Sequence, residues 1–158
     1  MIGQAKRDVS LFIRRATSQD ALDVLRWRND PLTRSMSRDT SAIDEAAHLT
    51  WFAQALKDPR RLLLIAEADG RKLGMVRFDE VGRAWEANIN VAPEVRGRGL
   101  GAAMLQAGLT AFAELWPKTF VEAEIRPENA ASIRIFETVG FRPTPSDGEL
   151  LRYVWRGT

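Results

Sequence analysis

The chain has 158 residues, 45% of them hydrophobic and 28% charged, with 23 basic and 21 acidic side chains and no cysteine. This composition favours one globular domain over 1–158 and argues against disorder, disulfide chemistry and a membrane partner. The net charge of +2 is too small to indicate a nucleic-acid partner. Residues 1–9 lack the apolar core of a secretory signal, so we expect a cytoplasmic protein.

The first part of the chain predicts a strand followed by a helix. Residues 11–16, Leu-Phe-Ile-Arg-Arg-Ala, begin with three large apolar side chains, and we interpret them as a strand. Ser18 is a suitable N-cap for the helix that follows, and Pro31 prevents that helix from continuing. The residues at 30–40 are polar, and we expect them to form a surface loop.

A second helix and a three-stranded meander come next. Ser41 and Asp44 form a capping-box pattern ahead of an amphipathic segment that ends near Pro59. Short turns containing Gly70 and Gly82 then separate three apolar segments. The strands of this antiparallel meander are predicted at 62–68, 73–81 and 85–91.

The C-terminal half predicts two helices and three strands. Asn129 is a suitable N-cap for the second of these helices, and Gly140 suits a left-handed position at its end. The predicted elements are a helix at 100–116, a strand at 120–125, a helix at 130–139, and closing strands from 141 onward and at 150–155. The complete order, β-α-α-β-β-β-α-β-α-β-β, predicts a mixed α/β fold with a mostly antiparallel sheet of about seven strands and one parallel crossover.

A glycine-rich turn joins the last strand of the meander to the next helix. Its sequence at 96–101 is Arg-Gly-Arg-Gly-Leu-Gly. Glycines let backbone N–H groups point into one concavity, the helix start adds its positive dipole end, and Arg96 and Arg98 add formal charge. The turn therefore indicates a phosphorylated cofactor, although a tight turn without a ligand is the alternative.

Polar side chains alternate with apolar ones in the strands around this turn. A row of carboxylates in a central strand costs free energy unless each is paired or faces a wet cavity. We therefore predict a substrate cleft against these polar faces, with Arg77 and Asn88 in its wall. The residues assigned to the polar faces are Arg77, Asp79, Glu86, Asn88, Asn90, Glu122, Glu124 and Arg126. The alternative is that Glu86, Glu122 and Glu124 are solvated, or are paired with Arg77 and Arg126 as structure.

The turn also has to be compared with a dinucleotide fingerprint. Gly97, Gly99 and Ala102 match the G-x-G-x-x-A spacing, and Glu122 follows about 20 residues later. In dinucleotide-binding folds the turn follows its strand directly within repeated βαβ units. Here residues 92–95 intervene and the preceding strands form a meander, so the context argues against a dinucleotide.

The turn resembles the cofactor turn of the GNAT superfamily of N-acetyltransferases, which has Arg or Gln, two residues, Gly, one residue, then Gly or Ala. A second segment, 129–141, is similar to a later helix of that family. The likeness covers essentially the whole chain in element order. It implies a single GNAT-like domain, acetyl-CoA as the donor, and direct attack by a primary amine in a ternary complex.

The resemblance also implies a set of cofactor contacts. In that family the pyrophosphate lies on the amides of the turn, and the pantetheine pairs like an extra strand with the end of the preceding strand. The positions implied to contact the cofactor are Ile89, Val91, Arg96, Gly97, Arg98, Gly99, Leu100, Gly101, Ala102, Asn129, Ser132 and Phe136.

One departure from the family concerns Phe136. Many members have a tyrosine at this position, and its phenol is thought to protonate the departing thiolate of coenzyme A. Phe136 has no proton to donate. Tyr153 is the only tyrosine in the chain, and it or a water molecule is the alternative donor, although a core or surface role for Tyr153 fits its position better.

The catalytic base is predicted to be a carboxylate. Glu124 lies where ribosomal-protein alanine acetyltransferases of this superfamily have a glutamate, and Glu86 is the second candidate. An ammonium group must lose a proton before it attacks a thioester, and a carboxylate can accept that proton. We expect no covalent enzyme intermediate and no metal. His48, the only histidine, is interpreted as a packing residue.

The acceptor end is predicted from a short match to the amino-sugar acetyltransferases of pseudaminic acid biosynthesis. Trp27, Arg28 and Asn29 are followed by His48 and Trp51 in a pattern similar to theirs. The resemblance implies a nucleotide-linked amino sugar as acceptor, with a tryptophan stacked on a sugar or base and Arg28 paired with a diphosphate. The alternative is that both tryptophans are core residues.

Several functional alternatives therefore stay open. Another small amine or a protein amino terminus would also serve as the acceptor. Phe136 in place of tyrosine leaves room for a non-catalytic acyl-CoA sensor or interaction module. A homodimer is compatible with the sequence.

Overall fold

The computed structural model describes residues 10–146 and 148–157. The prediction that residues 1–9 contain no secretory signal concerns a segment outside the described residues. The strands are β1 at Phe12–Arg15, β2 at Arg61–Ala68, β3 at Arg71–Val81, β4 at Ala84–Val91, β5 at Val121–Ile125, β6 at Arg142–Thr144 and β7 at Leu151–Trp155. The helices are α1 at Ala21–Arg28, α2 at Pro31–Ser35, α3 at Glu45–Lys57, α4 at Leu100–Leu115 and α5 at Ala130–Val139. Short 3₁₀ turns lie at Ser18–Asp20 and Pro93–Val95. Among the described residues, no helix has the length and apolar content needed to cross a bilayer.

The seven strands of the described residues form one sheet in the order β1-β2-β3-β4-β5-β7-β6. Every neighbouring pair is antiparallel except β4 and β5. The predicted α/β fold, with its mostly antiparallel sheet and one parallel crossover, is therefore confirmed. Asp69 and Gly70 form the two-residue turn between β2 and β3, and both have positive φ angles of 52° and 73°, as a tight hairpin of this hand requires.

The two parallel strands diverge soon after they meet. Their pairing consists of Trp85 with Val121 and Glu86 with Glu122. Beyond these pairs β4 continues to Val91, yet no further pairing joins it to β5 in the described residues. The backbone edge of β4 after Glu86 is therefore open on the side that faces β5, and a wedge-shaped gap separates the two strands.

Different helices cover the two faces of the sheet. Val76 of β3 lies against α4, and a Cβ placed on Gly108 would be only 2.8 Å from its Cγ1 atom. On the same face Phe78 stacks on Phe112, with ring centroids 4.7 Å apart. Arg77, between these two β3 residues, points to the opposite face, where it contacts a side chain of α3. The sheet thus separates α4 and α5 from α1 and α3.

The prediction of a surface loop at 30–40 is wrong in part, because this segment contains the short helix α2. The side chain of Asp30 accepts the backbone N–H of Thr33 at 3.1 Å and caps this helix. Pro31 occupies the first helical position, where its missing N–H is not needed. The proline that ends one helix therefore begins the next.

Two predicted helix caps are also wrong. Thr17, not Ser18, caps the turn before α1, and the side chain of Asp20 accepts the backbone N–H of Thr17 in return. Helix α3 is capped by Asp44 alone. Ser41 lies outside this helix and donates to Asp39 instead, because short polar side chains in loops often bond to neighbouring loop atoms.

Candidate active site

The glycine turn between β4 and α4 is open to solvent. Gly97 and Gly99 have φ angles of +77° and +72°, which favour glycine. A Cβ placed on either would meet no atom of the described residues within 4 Å. No side chain caps the start of α4 at Gly99, so the first N–H groups of this helix are free. An anionic group fits this turn without displacing any capping side chain.

A β-bulge in β3 fixes the point at which the turn leaves the sheet. The carbonyl of Leu73, the extra residue of the bulge, accepts the N–H of Ala92 at 2.8 Å. Gly74 has a φ angle of +150°, and a Cβ there would lie 2.0 Å from the carbonyl oxygen of Asn90. This position therefore requires glycine, which allows the end of β4 to approach β3 closely.

The two arginines of the turn are in different environments. The Nη2 atom of Arg96 is 2.5 Å from Asp30 and 2.8 Å from the hydroxyl of Thr33. The hydrogen bond from Arg96 lowers the pKa of Asp30. Arg98 is exposed and has no ion-pair partner among residues 10–146 and 148–157. Arg96 therefore ties α2 to the turn, and Arg98 is available to an incoming anion.

Helix α5 is held against the turn by a close glycine contact. A Cβ on Gly101 would lie 2.4 Å from the Cδ1 atom of Ile135 and 3.6 Å from Val91. The side chain of Asn129 accepts the N–H of Ser132 at 3.1 Å and caps α5, as predicted. Two segments that are distant in sequence therefore meet beside the end of β4.

Neither Phe136, at the position of the family's tyrosine, nor Tyr153 reaches the polar face. Phe136 is 3% exposed and packs edge-on against Phe141 at 4.8 Å, so its contact with the cofactor stays a prediction. The phenol of Tyr153 donates to Glu137 of α5 at 3.0 Å. Burial and the Glu137 carboxylate raise the pKa of Tyr153. In β7 its neighbour Arg152 points to the face that holds the glutamates, so Tyr153 itself lies on the other face.

The two candidate bases meet at one guanidinium group. Arg38, which follows α2, contacts both Glu86 (3.3 Å) and Glu124 through its Nη2 atom. Glu124 also accepts from Arg152 at 3.2 Å. Both carboxylates are half-buried, whereas the side chain of Arg38 is 65% exposed. The structure therefore brings Glu86 and Glu124 together on the face predicted for the substrate. The long cationic side chain of Arg38 lies over both carboxylates.

The arginines that the sequence offered as partners of these carboxylates bind elsewhere, so that alternative is wrong in detail. The guanidinium of Arg126 donates to the carbonyl of Ser37 at 2.9 and 2.8 Å. Arg77 donates to Asp79 at 3.0 Å. Arg126 thus holds the backbone beside Arg38 against the end of β5.

A cationic wall borders the carboxylates on the α3 side. The guanidinium carbon of Arg28 lies 4.4 Å from the centroid of the Trp51 ring, and that of Arg77 lies 5.3 Å from it. Asn88 is exposed and pairs with Arg77 across β3 and β4. Burial, and then the charge of Arg77, lower the pKa of Arg28 to about 10. Two predicted substrate residues, Arg28 and Arg77, therefore flank Trp51, and the third, Asn88, is the cross-strand neighbour of Arg77 on the same face.

Two other predicted substrate residues, Trp27 and Asn29, support the fold. Trp27 is 1% exposed and lies in the core, so its interpretation as a stacking residue is wrong and the core alternative holds. The amide of Asn29 donates to the carbonyl of Ile43 at 2.9 Å and accepts its N–H at 2.7 Å. Asn29 therefore fixes the segment before α3, with both ends of its amide bonded to the backbone.

Residues 10–142 match the family model described as the acetyltransferase (GNAT) domain. The chain belongs to the GNAT family. The resemblance carried by the glycine turn and by 129–141 is thus confirmed at the level of the family.

Among curated proteins, this GNAT chain is similar to a mycothiol acetyltransferase from Clavibacter sepedonicus, with 27% identity over 96% of the chain and 49% of the relative. It is also similar to an L-2,4-diaminobutyric acid acetyltransferase from Nocardia farcinica, with 32% identity over 78% of the chain and 60% of the relative. The chain spans about half the length of the first of these curated relatives.

Among solved structures, the fold is similar to a spermidine N-acetyltransferase from Vibrio cholerae in complex with CoA and spermine, with a TM-score of 0.80 and 16% identity. The match covers 92% of this chain and 94% of that one. At this identity the likeness establishes the GNAT fold alone.

Sequence reasoning missed three side chains of the GNAT chain's polar face. Arg38 and Arg152 were not singled out, although they are the ion-pair partners of Glu124. Trp51 was considered only as a stacking or core residue, and its place between Arg28 and Arg77 was not predicted. Alternation in β7 could have placed Arg152 on this face, whereas no local pattern marks Arg38.

Proposed function

We propose that this chain is an acetyl-CoA-dependent N-acetyltransferase that acts on a primary amine. The observation that supports it most directly is the open edge of β4 after Glu86, beside an uncapped helix start and facing two glutamates. Membership of the GNAT family agrees with this proposal. The structural neighbour from Vibrio cholerae, a spermidine N-acetyltransferase, is in complex with CoA and spermine, which agrees with CoA and an amine as ligands.

The residues present fit a coenzyme A thioester. The free N–H groups of 97–102 would hold the diphosphate, with Arg98 adding charge. The open backbone edge at Ile89 and Val91 would pair with the amides of the pantetheine arm, as an added strand does. Asn129 and Ser132 border the same space from α5. When bound, acetyl-CoA supplies a thioester carbonyl and a thiolate leaving group.

The glutamates are proposed to prepare the acceptor. A carboxylate oxygen of Glu124, or of Glu86, accepts a hydrogen bond from the acceptor ammonium and then takes its proton. The resulting neutral amine has the lone pair that attack requires. Because both carboxylates lie on the polar face, the acceptor enters from the side opposite to α4 and α5, and direct transfer depends on proximity in a ternary complex.

The acceptor is proposed to be a small-molecule amine. The names of one curated relative and of the structural neighbour refer to 2,4-diaminobutyrate and to spermidine, which are both small-molecule amines. An amino sugar has less support after the burial of Trp27. The alternative function is a non-catalytic acyl-CoA sensor, which the positions of Phe136 and Tyr153 favour because neither lines the polar face.

Two measurements test the proposal. Isothermal titration of acetyl-CoA into the protein should show binding, and Gly97→Leu should weaken it because a branched side chain in the left-handed region is strained and lies over the open turn. Release of thiol from acetyl-CoA should then depend on an added amine. Absence of binding by a folded protein would refute the proposal. Binding without turnover on a broad amine panel would favour the sensor.

A further inference from the structure

Arg28 is a half-buried cation without a carboxylate partner in the described chain. Its Nη1 atom donates to Nδ1 of His48 at 2.9 Å, and its guanidinium lies over Trp51. None of the acidic residues within 10–146 and 148–157 forms an ion pair with it. A cation that is partly withdrawn from water without a counter-charge is unfavourable, and a bound anion would reduce this cost.

His48 fixes the orientation of Arg28 without compensating its charge. The other ring nitrogen, Nε2, lies 2.7 Å from the carbonyl of Ala21 and donates to it. Nδ1 is then the acceptor for Arg28, which requires the neutral imidazole. Burial lowers the pKa of His48, in agreement with this tautomer. A buried neutral side chain therefore positions Arg28 and leaves its charge uncompensated.

Arg77 adds a second guanidinium beside the same ring. Its Nε atom donates to Asp79 at 3.0 Å, whereas neither of its terminal nitrogens has a hydrogen-bond acceptor in the described part of the chain. Arg28 and Arg77 flank Trp51 at 4.4 and 5.3 Å. Two cations that share one wall repel each other, and a bound anion would relieve this repulsion.

The position of this wall relates it to the candidate bases. Arg77 of β3 is opposite Asn88 of β4, and Glu86 is the next residue along β4 on the same face. Diagonal neighbours of this kind have Cα atoms about 7 to 8 Å apart. Arg77 and Glu86 are therefore close enough on one face of the sheet for a single small molecule to contact both side chains.

We propose that the acceptor amine carries an anionic group, a carboxylate or a phosphate, that binds Arg28 and Arg77 beside Trp51 while its ammonium group meets Glu86 and Glu124. This inference rests on the proposed function. Guanidinium groups bind such oxyanions with paired hydrogen bonds, and the Trp51 ring offers a flat apolar surface for the carbon chain between the two charges.

Acceptors that differ only in the anionic group test the proposal. The pairs are 2,4-diaminobutyrate with 1,3-diaminopropane, ornithine with putrescine, and glucosamine 6-phosphate with glucosamine. We expect the anionic member of a pair to have a kcat/KM at least about tenfold higher, as charge-assisted hydrogen bonds give. Preference within the first two pairs identifies a carboxylate, and preference within the third identifies a phosphate. Equal values within all three pairs would overturn the inference and leave the proposed function standing.

Variants of the wall separate binding from structure. Arg28→Gln and Arg77→Gln should reduce the preference for the anionic member toward unity, whereas a purely structural role would lower both members equally. Arg61→Gln is the matched control, because Arg61 also pairs with Asp79 but does not contact Trp51. A ratio that stays unchanged in both wall variants would contradict the assignment.

If no amine is acetylated, the proposed function is refuted. The anion site can then still be tested by measuring binding. Each anionic compound is then titrated calorimetrically into the protein containing coenzyme A. Binding that is lost in Arg28→Gln and kept in Arg61→Gln would support the anion site. Absence of binding for all of the anionic compounds would overturn it.

Discussion

Carboxylates meet arginines at several places in the described part of the chain, and two of these clusters, at Asp20 and at Glu86 with Glu124, differ in burial and saturation. Asp20 is 1% exposed, and both of its oxygens accept from Arg14 at 2.9 Å. Lys72 lies 2.8 Å from it, and the N–H of Thr17 donates to it at 2.8 Å. This cluster, at the start of α1, has no remaining acceptor capacity for a ligand and joins β1, β3 and the α1 turn.

The second cluster is open where the first is sealed. Glu86 and Glu124 share the exposed side chain of Arg38, and within residues 10–146 and 148–157 only Glu124 has a further ion-pair partner, Arg152. Exposed ion pairs of this kind contribute little to stability. Similar residues therefore serve different purposes: a saturated buried pair fixes the fold, whereas an unsaturated one at the edge of a strand gap is available to a substrate.

The largest expected effect is loss of stability in Asp20→Ala. The change leaves Arg14 and Lys72 without their shared partner and removes one half of the capping box at Thr17. We expect the free energy of unfolding to fall by about 3 kcal/mol, measured by urea denaturation. Asp23→Ala is the control: Asp23 also pairs with Lys72 but is 40% exposed, so about 0.5 kcal/mol is expected. Equal losses in both variants would remove the distinction between the clusters.

The second prediction concerns Glu124 in the open cluster, where we expect a loss of activity and little loss of stability. Glu124→Gln should lower kcat by about 100-fold, the lower range for general base catalysis, because the amide cannot accept the ammonium proton. The free energy of unfolding and the KM for acetyl-CoA should change little, since Glu124 is only half-buried and away from the turn. Steady-state kinetics and urea denaturation on one preparation make the comparison.

The control for this variant is Glu80→Gln, an exposed glutamate near the end of β3, which should retain the rate of the parent. A parent-like rate in Glu124→Gln at all pH values would remove Glu124 from the mechanism. A rate loss in Glu86→Gln alone would transfer the role to the second candidate.

The sequence was informative where the signals are local. Gly97 and Gly99 have positive φ angles, which few residues other than glycine adopt readily. The alternating glycines in the sequence therefore indicate the turn. Alternation in β4 and β5 placed Glu86 and Glu124 on one face because the period of a strand is two. These features depend only on neighbours in the chain.

Contacts between distant segments could not be predicted in the same way. Arg38 lies 48 residues from Glu86 and 86 residues from Glu124, in a polar segment without periodicity. Trp27 and Trp51 have the same local helical context, yet one is in the core and the other borders the polar face. Burial of this kind is decided by the packing of α1 and α3 on the sheet.

The third prediction uses the pKa of Asp20. Burial alone would raise this pKa, but hydrogen bonds from Arg14 and Lys72 hold it well below its usual range. The resulting stabilisation, on the order of 2 kcal/mol, is complete above the unfolded pKa of about 4 and is lost as the pH falls through the lower folded value. The difference in unfolding free energy between the parent and Asp20→Ala should therefore shrink below pH 4. A constant difference from pH 7 to pH 2 would contradict the assignment.

The smallest expected effect concerns Arg38, whose guanidinium competes with the acceptor for the same carboxylates. Arg38→Gln should lower the KM for the amine about two- to fivefold, as loss of an exposed ion pair worth up to about 1 kcal/mol allows, with kcat and the KM for acetyl-CoA unchanged. Arg34→Gln is the control, because the side chain of Arg34 makes one hydrogen bond within the described residues, to the carbonyl of Thr40 in the same segment. A higher KM for the amine in Arg38→Gln would mean that Arg38 contacts the bound acceptor directly. The open cluster would then bind its ligand through the arginine as well as the glutamates, and its likeness to the sealed cluster at Asp20 would be closer than the free protein indicates.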